Sequence, residues 1–205
     1  MKTLTLGLLF ALLVIVGSPV KAATILFDLQ GTAGVGLLGG NEAPTPVTGG
    51  GSGGESGAGV AGISYDDGTK ILSINVKWGS ANGFTDLTGA INGAHIHGPT
   101  TNGGTAAFTQ SAGVVVNFVT NGVTTGYTAA SFVTNTSASA GSVSGQVTLD
   151  ATREAQLLAG RLYLNFHTAT NGGGEIRGTL VQVPEPSRAA FAMLGLSLLA
   201  FRRKR

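Results

Sequence analysis

The chain of 205 residues has no cysteine, which excludes a disulfide scaffold, a thiolate metal site, an iron–sulfur cluster and a cysteine nucleophile. Charged side chains make up only 11% of it, against about 25% in an ordinary soluble domain. Aromatic residues are 6%, too few for a stacking platform for single-stranded nucleic acid. The formal charge of +2 comes from the two ends. Between Ala23 and Val183 lie five cationic and nine acidic residues, a net −4. Phosphate recognition needs clustered Lys and Arg, so no nucleic acid partner is expected.

Glycine is abundant instead, at 34 residues, and is concentrated between residues 31 and 62. That stretch reads as a Gly-rich loop stiffened by Pro44 and Pro46. Gly34, Gly36 and Gly39 match a dinucleotide-binding pattern, but no amphipathic helix follows to receive the phosphates. Gly50-Gly51-Ser52-Gly53-Gly54 matches a nucleophile-elbow pattern without the buried strand and helix that such an elbow needs.

Residues 1–22 have the layout of a secretory signal peptide. Lys2 precedes an apolar run from Leu4 to Val16, and cleavage is expected after Ala22. These features imply the Sec translocon and a signal peptidase as partners. At the other end Pro184-Glu185-Pro186 is followed by apolar residues from Ala189 to Phe201 and then Arg202-Arg203-Lys204-Arg205. Segment 183–205 resembles the PEP-CTERM sorting signal of Gram-negative bacteria. The resemblance implies processing by an exosortase, a transient inner-membrane contact through the hydrophobic transmembrane tail, and a place in the cell envelope or biofilm matrix with an extracellular polymer as partner.

The body, residues 23–182, has the period of β structure. Leu72, Ile74, Val76 and Trp78 alternate with Ser73, Asn75 and Lys77, and Asp66-Asp67-Gly68-Thr69 reads as the preceding hairpin turn. Further strands are expected over Thr24–Leu29, Val60–Tyr65, Gly89–His97, Gly104–Thr109, Val114–Val119, Ser142–Leu149, Arg161–Thr168 and Glu175–Gln182. One short helix, Ala151–Ala159, is expected between an Asp150 or Thr152 cap and Gly160. The fold class is all-β: an antiparallel Greek-key sandwich or barrel.

All three histidines fall in two of these strands. His95 and His97 are two apart and share one face. In the later strand Tyr163, Asn165 and His167 share a face opposite Leu162, Leu164 and Phe166. A hairpin centred near Asn171 would set His167 opposite Glu175 and Asn165 opposite Arg177. Two readings follow. The histidines can bond to Glu, Asn or backbone, with Glu175 and Arg177 as a cross-strand ion network. Alternatively His95, His97 and His167 form a mononuclear three-imidazole site for copper or zinc, with Glu175 orienting one ring.

The words Gly93-Ala94-His95-Ile96-His97-Gly98-Pro99, Leu162-Tyr163-Leu164-Asn165-Phe166-His167-Thr168 and Gly174-Glu175-Ile176-Arg177-Gly178 resemble the CHRD domain, first described in chordin. The resemblance covers roughly residues 25 to 182. It implies an all-β extracellular domain of poorly defined molecular function. Asn171-Gly172-Gly173 departs from it where the family often has a proline. A weaker likeness is to the copper/zinc superoxide dismutases, which also combine a His-x-His strand with a later histidine on a Greek-key barrel. A bridging fourth histidine, a zinc loop and the cysteine pair have no counterpart here, so dismutation is not implied. The expected function is a non-catalytic exported surface or matrix protein with a binding or structural β domain and no established cofactor. The alternative is a metal-binding domain with redox activity.

Overall fold

The structure, a computed structural model, describes residues 22–55 and 62–184. The expected signal peptide and the residues beyond Pro184, including Glu185 and Pro186 of the sorting motif, lie outside the described residues.

The strands are β1 (Thr24–Gly31), β2 (Gly34–Val35), β3 (Leu37–Leu38), β4 (Ser52–Glu55), β5 (Ile63–Asp66), β6 (Ile71–Trp78), β7 (Ile91–His97), β8 (Val114–Asn117), β9 (Gly122–Val123), β10 (Tyr127–Asn135), β11 (Gly141–Leu149), β12 (Tyr163–Thr168) and β13 (Ile176–Gln182). Helix α1 covers Ala151–Leu158. Every described pairing is antiparallel. One layer runs β10-β11-β6-β5-β1 and the other β13-β12-β7-β8-β9, with β1 also pairing with β13 along a shared edge. The result is a sandwich-like antiparallel fold rather than a clear barrel.

The alternation in β6 is realised: Leu72, Ile74, Val76 and Trp78 are buried, and the residues between them are not. Trp78 meets Phe166 at 4.9 Å between ring centroids, and Phe118 meets Phe132 at 4.6 Å, so aromatic rings join the layers through the core. The Asp66 turn forms as expected. The Asp66 carboxylate accepts from the Gly68 and Thr69 amides and the Thr69 hydroxyl, which holds its pKa below the ordinary value. Asp150 caps α1 by accepting from Arg153 N at 2.8 Å.

Three expectations are corrected. The described part of the Gly-rich stretch, residues 31–55, is more than loop: it supplies β2, β3 and β4, and Leu37, Asn41 and Glu42 within it are buried. Glycine permits this because the backbones approach closely. A Cβ on Gly53 would come within 2.6 Å of the Lys77 carbonyl. Gly104–Ala107 is a 3₁₀ turn rather than a strand, with Gly104 at φ +61°. Strand β10 forms where no strand is expected: its exposed Thr, Ala and Ser residues lack a clean alternation, and its register shifts between Thr128 and Ser131.

A fourth correction concerns membranes. Among the described residues no helix is long and apolar enough to cross one. The longest, α1, has eight residues, far short of the ~20 that a span requires. The expected transmembrane tail and inner-membrane partner have no counterpart among the described residues, and the tail itself lies outside them.

Candidate metal centre

The site is built on neighbouring strands of one layer. In the β7–β12 register His97 lies opposite Tyr163, His95 opposite Asn165, and Gly93 opposite His167. Ala94, Ile96, Leu164 and Phe166 point into the core, so the period of two sends all three histidines to the other face. That face is polar and largely covered. Glu42 and the segment leading to Ala112 pack over it.

The three rings converge. Their centroids are separated by 5.3 Å (His95–His97), 5.0 Å (His95–His167) and 5.8 Å (His97–His167). One nitrogen from each ring lies within 4.8 Å of the other two. Ligands at ~2.0–2.1 Å from a common ion sit at most ~4 Å apart, so small ring rotations would complete a first shell.

Hydrogen bonding determines which nitrogens are free. His97 Nδ1 is 2.9 Å from the Ala112 carbonyl, and His167 Nδ1 is 3.1 Å from the Gly172 carbonyl. A carbonyl only accepts, so each Nδ1 carries the proton and each Nε2 keeps its lone pair. Those two Nε2 atoms and His95 Nδ1 are buried without any hydrogen-bond partner. Burial pushes His95 down to about 4, with help from His167 and His97. Burial also pushes His97 down to about 4, with His167 and Arg177 adding to it against the Ala112 bond. Burial lowers His167 as well, against its Gly172 bond. Near neutral pH all three rings are therefore neutral, the form that binds a metal.

Gly93 makes the convergence sterically feasible. A Cβ there would stand 2.9 Å from His95 Cε1 and 3.4 Å from His167 Cδ2. Tyr163 fixes the other side. Its ring stacks on His97 at 5.0 Å and 12°, and its hydroxyl exchanges hydrogen bonds with the Ala112 backbone. Ala112 thereby holds Tyr163 and His97 together.

Asn165 lies opposite Arg177 in the β12–β13 register, and its amide donates to Glu42 Oε2 at 3.3 Å. Burial pushes Glu42 up to about 7, against the attraction of Arg177 and the Asn165 bond. Arg177 lies on the far face of the Tyr163 ring, with Cζ 3.6 Å from its centroid. It donates to the Ala107 and Gln110 carbonyls and so anchors the segment that carries Ala112.

Glu175 does not orient a histidine. Its carboxylate accepts from Gly51 N, Thr88 N, Thr88 Oγ1, Thr168 Oγ1 and Asn171 Nδ2. Burial works against its charge, but these bonds outweigh burial and hold its pKa below the ordinary value. The orienting acceptors are instead the Ala112 and Gly172 carbonyls. Nor do Glu175 and Arg177 form an ion network; the ion pair among the described residues is Lys70–Glu154 at 2.9 Å. Gly93, Tyr163, Ala112 and Glu42 join the site beyond the expected residues. Gly93 carried a signal, since it is a small residue two positions before a His-x-His pair on the same strand face.

The CHRD domain family model matches residues 34–180. The chain therefore belongs to the CHRD domain family. No curated protein and no solved structure matches it significantly. The expectation of a non-catalytic domain is corrected by the histidine cluster. Three clustered imidazoles, His97 buried and His95 and His167 half-buried, could hold one ion, which opens the way to catalytic or redox chemistry.

Proposed function

We propose that this CHRD domain binds one copper or zinc ion through His95, His97 and His167. The observation that carries the reading is the pairing of free and occupied nitrogens. Each ring carries one buried, unpartnered nitrogen, one nitrogen of each ring lies within 4.8 Å of the other two, and backbone carbonyls fix the tautomer of His97 and His167. A purely structural histidine network would satisfy those inner atoms, because an orphaned buried polar group costs about 1–3 kcal/mol. Imidazole suits both ions. Three protein ligands leave a coordination position open, and such an ion supplies Lewis-acid chemistry or, for copper, one-electron chemistry. Elemental analysis of the purified, tag-free chain after dialysis against copper or zinc tests the reading. One equivalent per chain is expected, and a level well below that overturns it.

The setting proposed for the domain is outside the cell. Support comes from the charged start and apolar run of residues 1–22, and from the Pro184-Glu185-Pro186 break ahead of a short apolar and basic end, which supports a sorting segment. Mass spectrometry of the mature protein should find a start near Ala23 and an end near Pro184. A full-length cytoplasmic product would contradict this setting.

A further inference from the structure

Arg177 is a buried cation beside the histidine cluster without a close counter-charge. It is 1% exposed, Nη2 donates to two carbonyls, and Nε and Nη1 have no partner. Its guanidinium lies 3.6 Å from the Tyr163 ring centroid, and Tyr163 stacks on His97 at 5.0 Å, so the charge is held within about 9 Å of the His97 ring. Neither nearby acid forms an ion pair with it. Glu42 attracts Arg177 through space but forms no ion pair with it, and the Glu175 carboxylate is engaged by five hydrogen bonds on the hairpin side. The three imidazoles are neutral ligands and offset none of an ion's charge.

We propose that Arg177, held against His97 through Tyr163, tunes the charge selectivity of the site: it disfavours divalent ions relative to monovalent ones and so shifts copper binding toward Cu(I). The inference rests on the ligand assignment made under Proposed function. Repulsion between a fixed cation and a bound ion scales with the ion's charge. The factor by which Arg177 weakens a divalent ion is therefore the square of the factor for a monovalent one. The stack keeps the distance fixed, and burial limits screening by salt. In this role Arg177 is a positioned charge and not a ligand.

The test is chelator competition on the full chain with Cu(I), Cu(II) and Zn(II), comparing wild type with Arg177→Gln and Arg177→Lys. At an effective dielectric constant near 20, loss of the charge should tighten Cu(I) about tenfold and Zn(II) and Cu(II) about a hundredfold. Arg177→Lys, which keeps the charge, should stay near wild type. A merely structural role would instead weaken all three ions together on Arg177→Gln, and that result, or an equal change for all three, overturns the proposal. If Arg177→Gln does not fold, Glu42→Gln at about pH 8 tests the same field from the other side. Removing the carboxylate charge should weaken Zn(II) more than Cu(I), and an equal effect overturns the proposal. Wild-type protein that binds none of the three ions overturns the ligand assignment itself, an outcome distinct from those.

Discussion

Gly93 lies directly opposite His167 across the β7–β12 pair, and the space that a Cβ would occupy there belongs to the imidazoles of His95 and His167. A contact of 2.9 Å to His95 Cε1 is too close for a real Cβ, so Gly93→Ala must rotate or displace the His95 ring. Metal affinity should fall at least ~tenfold, or ~1.4 kcal/mol, because first-shell geometry tolerates little displacement. The metal-free melting temperature should change little. Titration calorimetry paired with a thermal melt separates the two effects, and unchanged affinity would show that the ring has room to move.

Glu175 has a different role, and its variant should show it. Glu175→Ala leaves the Gly51 and Thr88 amides without their acceptor, and each unpaired buried donor costs about 1–3 kcal/mol. The expected result is a loss of about 3 kcal/mol or more in denaturant unfolding, with stoichiometric metal binding kept by the protein that remains folded. Selective loss of metal with unchanged stability would place Glu175 beside the ligands after all.

The pH dependence of the metal-free protein has two arms. His95 and His97 are pushed down to about 4, below the ordinary histidine value, so between about 4 and 6.5 the unfolded chain binds more protons than the folded one. Their contribution is full above that window and is lost as pH falls through it. Glu42 is raised to about 7, so its contribution is full below the ordinary carboxyl value and is lost as pH rises toward and through 7. Melting temperature against pH should thus fall on both sides. Glu42→Gln should flatten the neutral-to-alkaline arm and leave the acid arm intact. An unaltered alkaline arm in that variant would contradict the buried state of Glu42.

The glycine-rich stretch should prove integral to the fold. Deleting residues 38–55 removes the strand pairings of β4 with β3 and β6, the Glu42–Asn165 bond and the Gly51 donor to Glu175. Cooperative melting should be lost. A deletion variant that melts as sharply as wild type would show that this stretch contributes no packing.

Much of the site could be read from residue parity. Strand period alone sent His95 and His97 to one face, and the hairpin estimate set Asn165 opposite Arg177, which is the register found. The parts not legible were those supplied from a distance in sequence. Ala112 and Gly172 act through carbonyls, which any residue carries, and so left no mark in the side-chain pattern. Glu175 looked like a partner for His167 because the hairpin brings them close. The stronger donors at Thr88 and Gly51 come from segments whose approach depends on the whole sandwich. Tyr163 and Arg177 are polar-face residues by strand parity, but the stacking of Arg177 on Tyr163 and of Tyr163 on His97 depends on the covering segment that Arg177 anchors.

The account depends most on the three histidines acting as one ligand set. Elemental analysis and competition titration of wild type, His95→Ala, His97→Ala and His167→Ala test it most directly. Wild type should hold one copper or zinc per chain, and each single variant should lose at least ~100-fold in affinity, about 2.7 kcal/mol, while keeping the β-rich circular dichroism of the parent. Metal-free wild type, or variants that bind as well as the parent, would contradict the account.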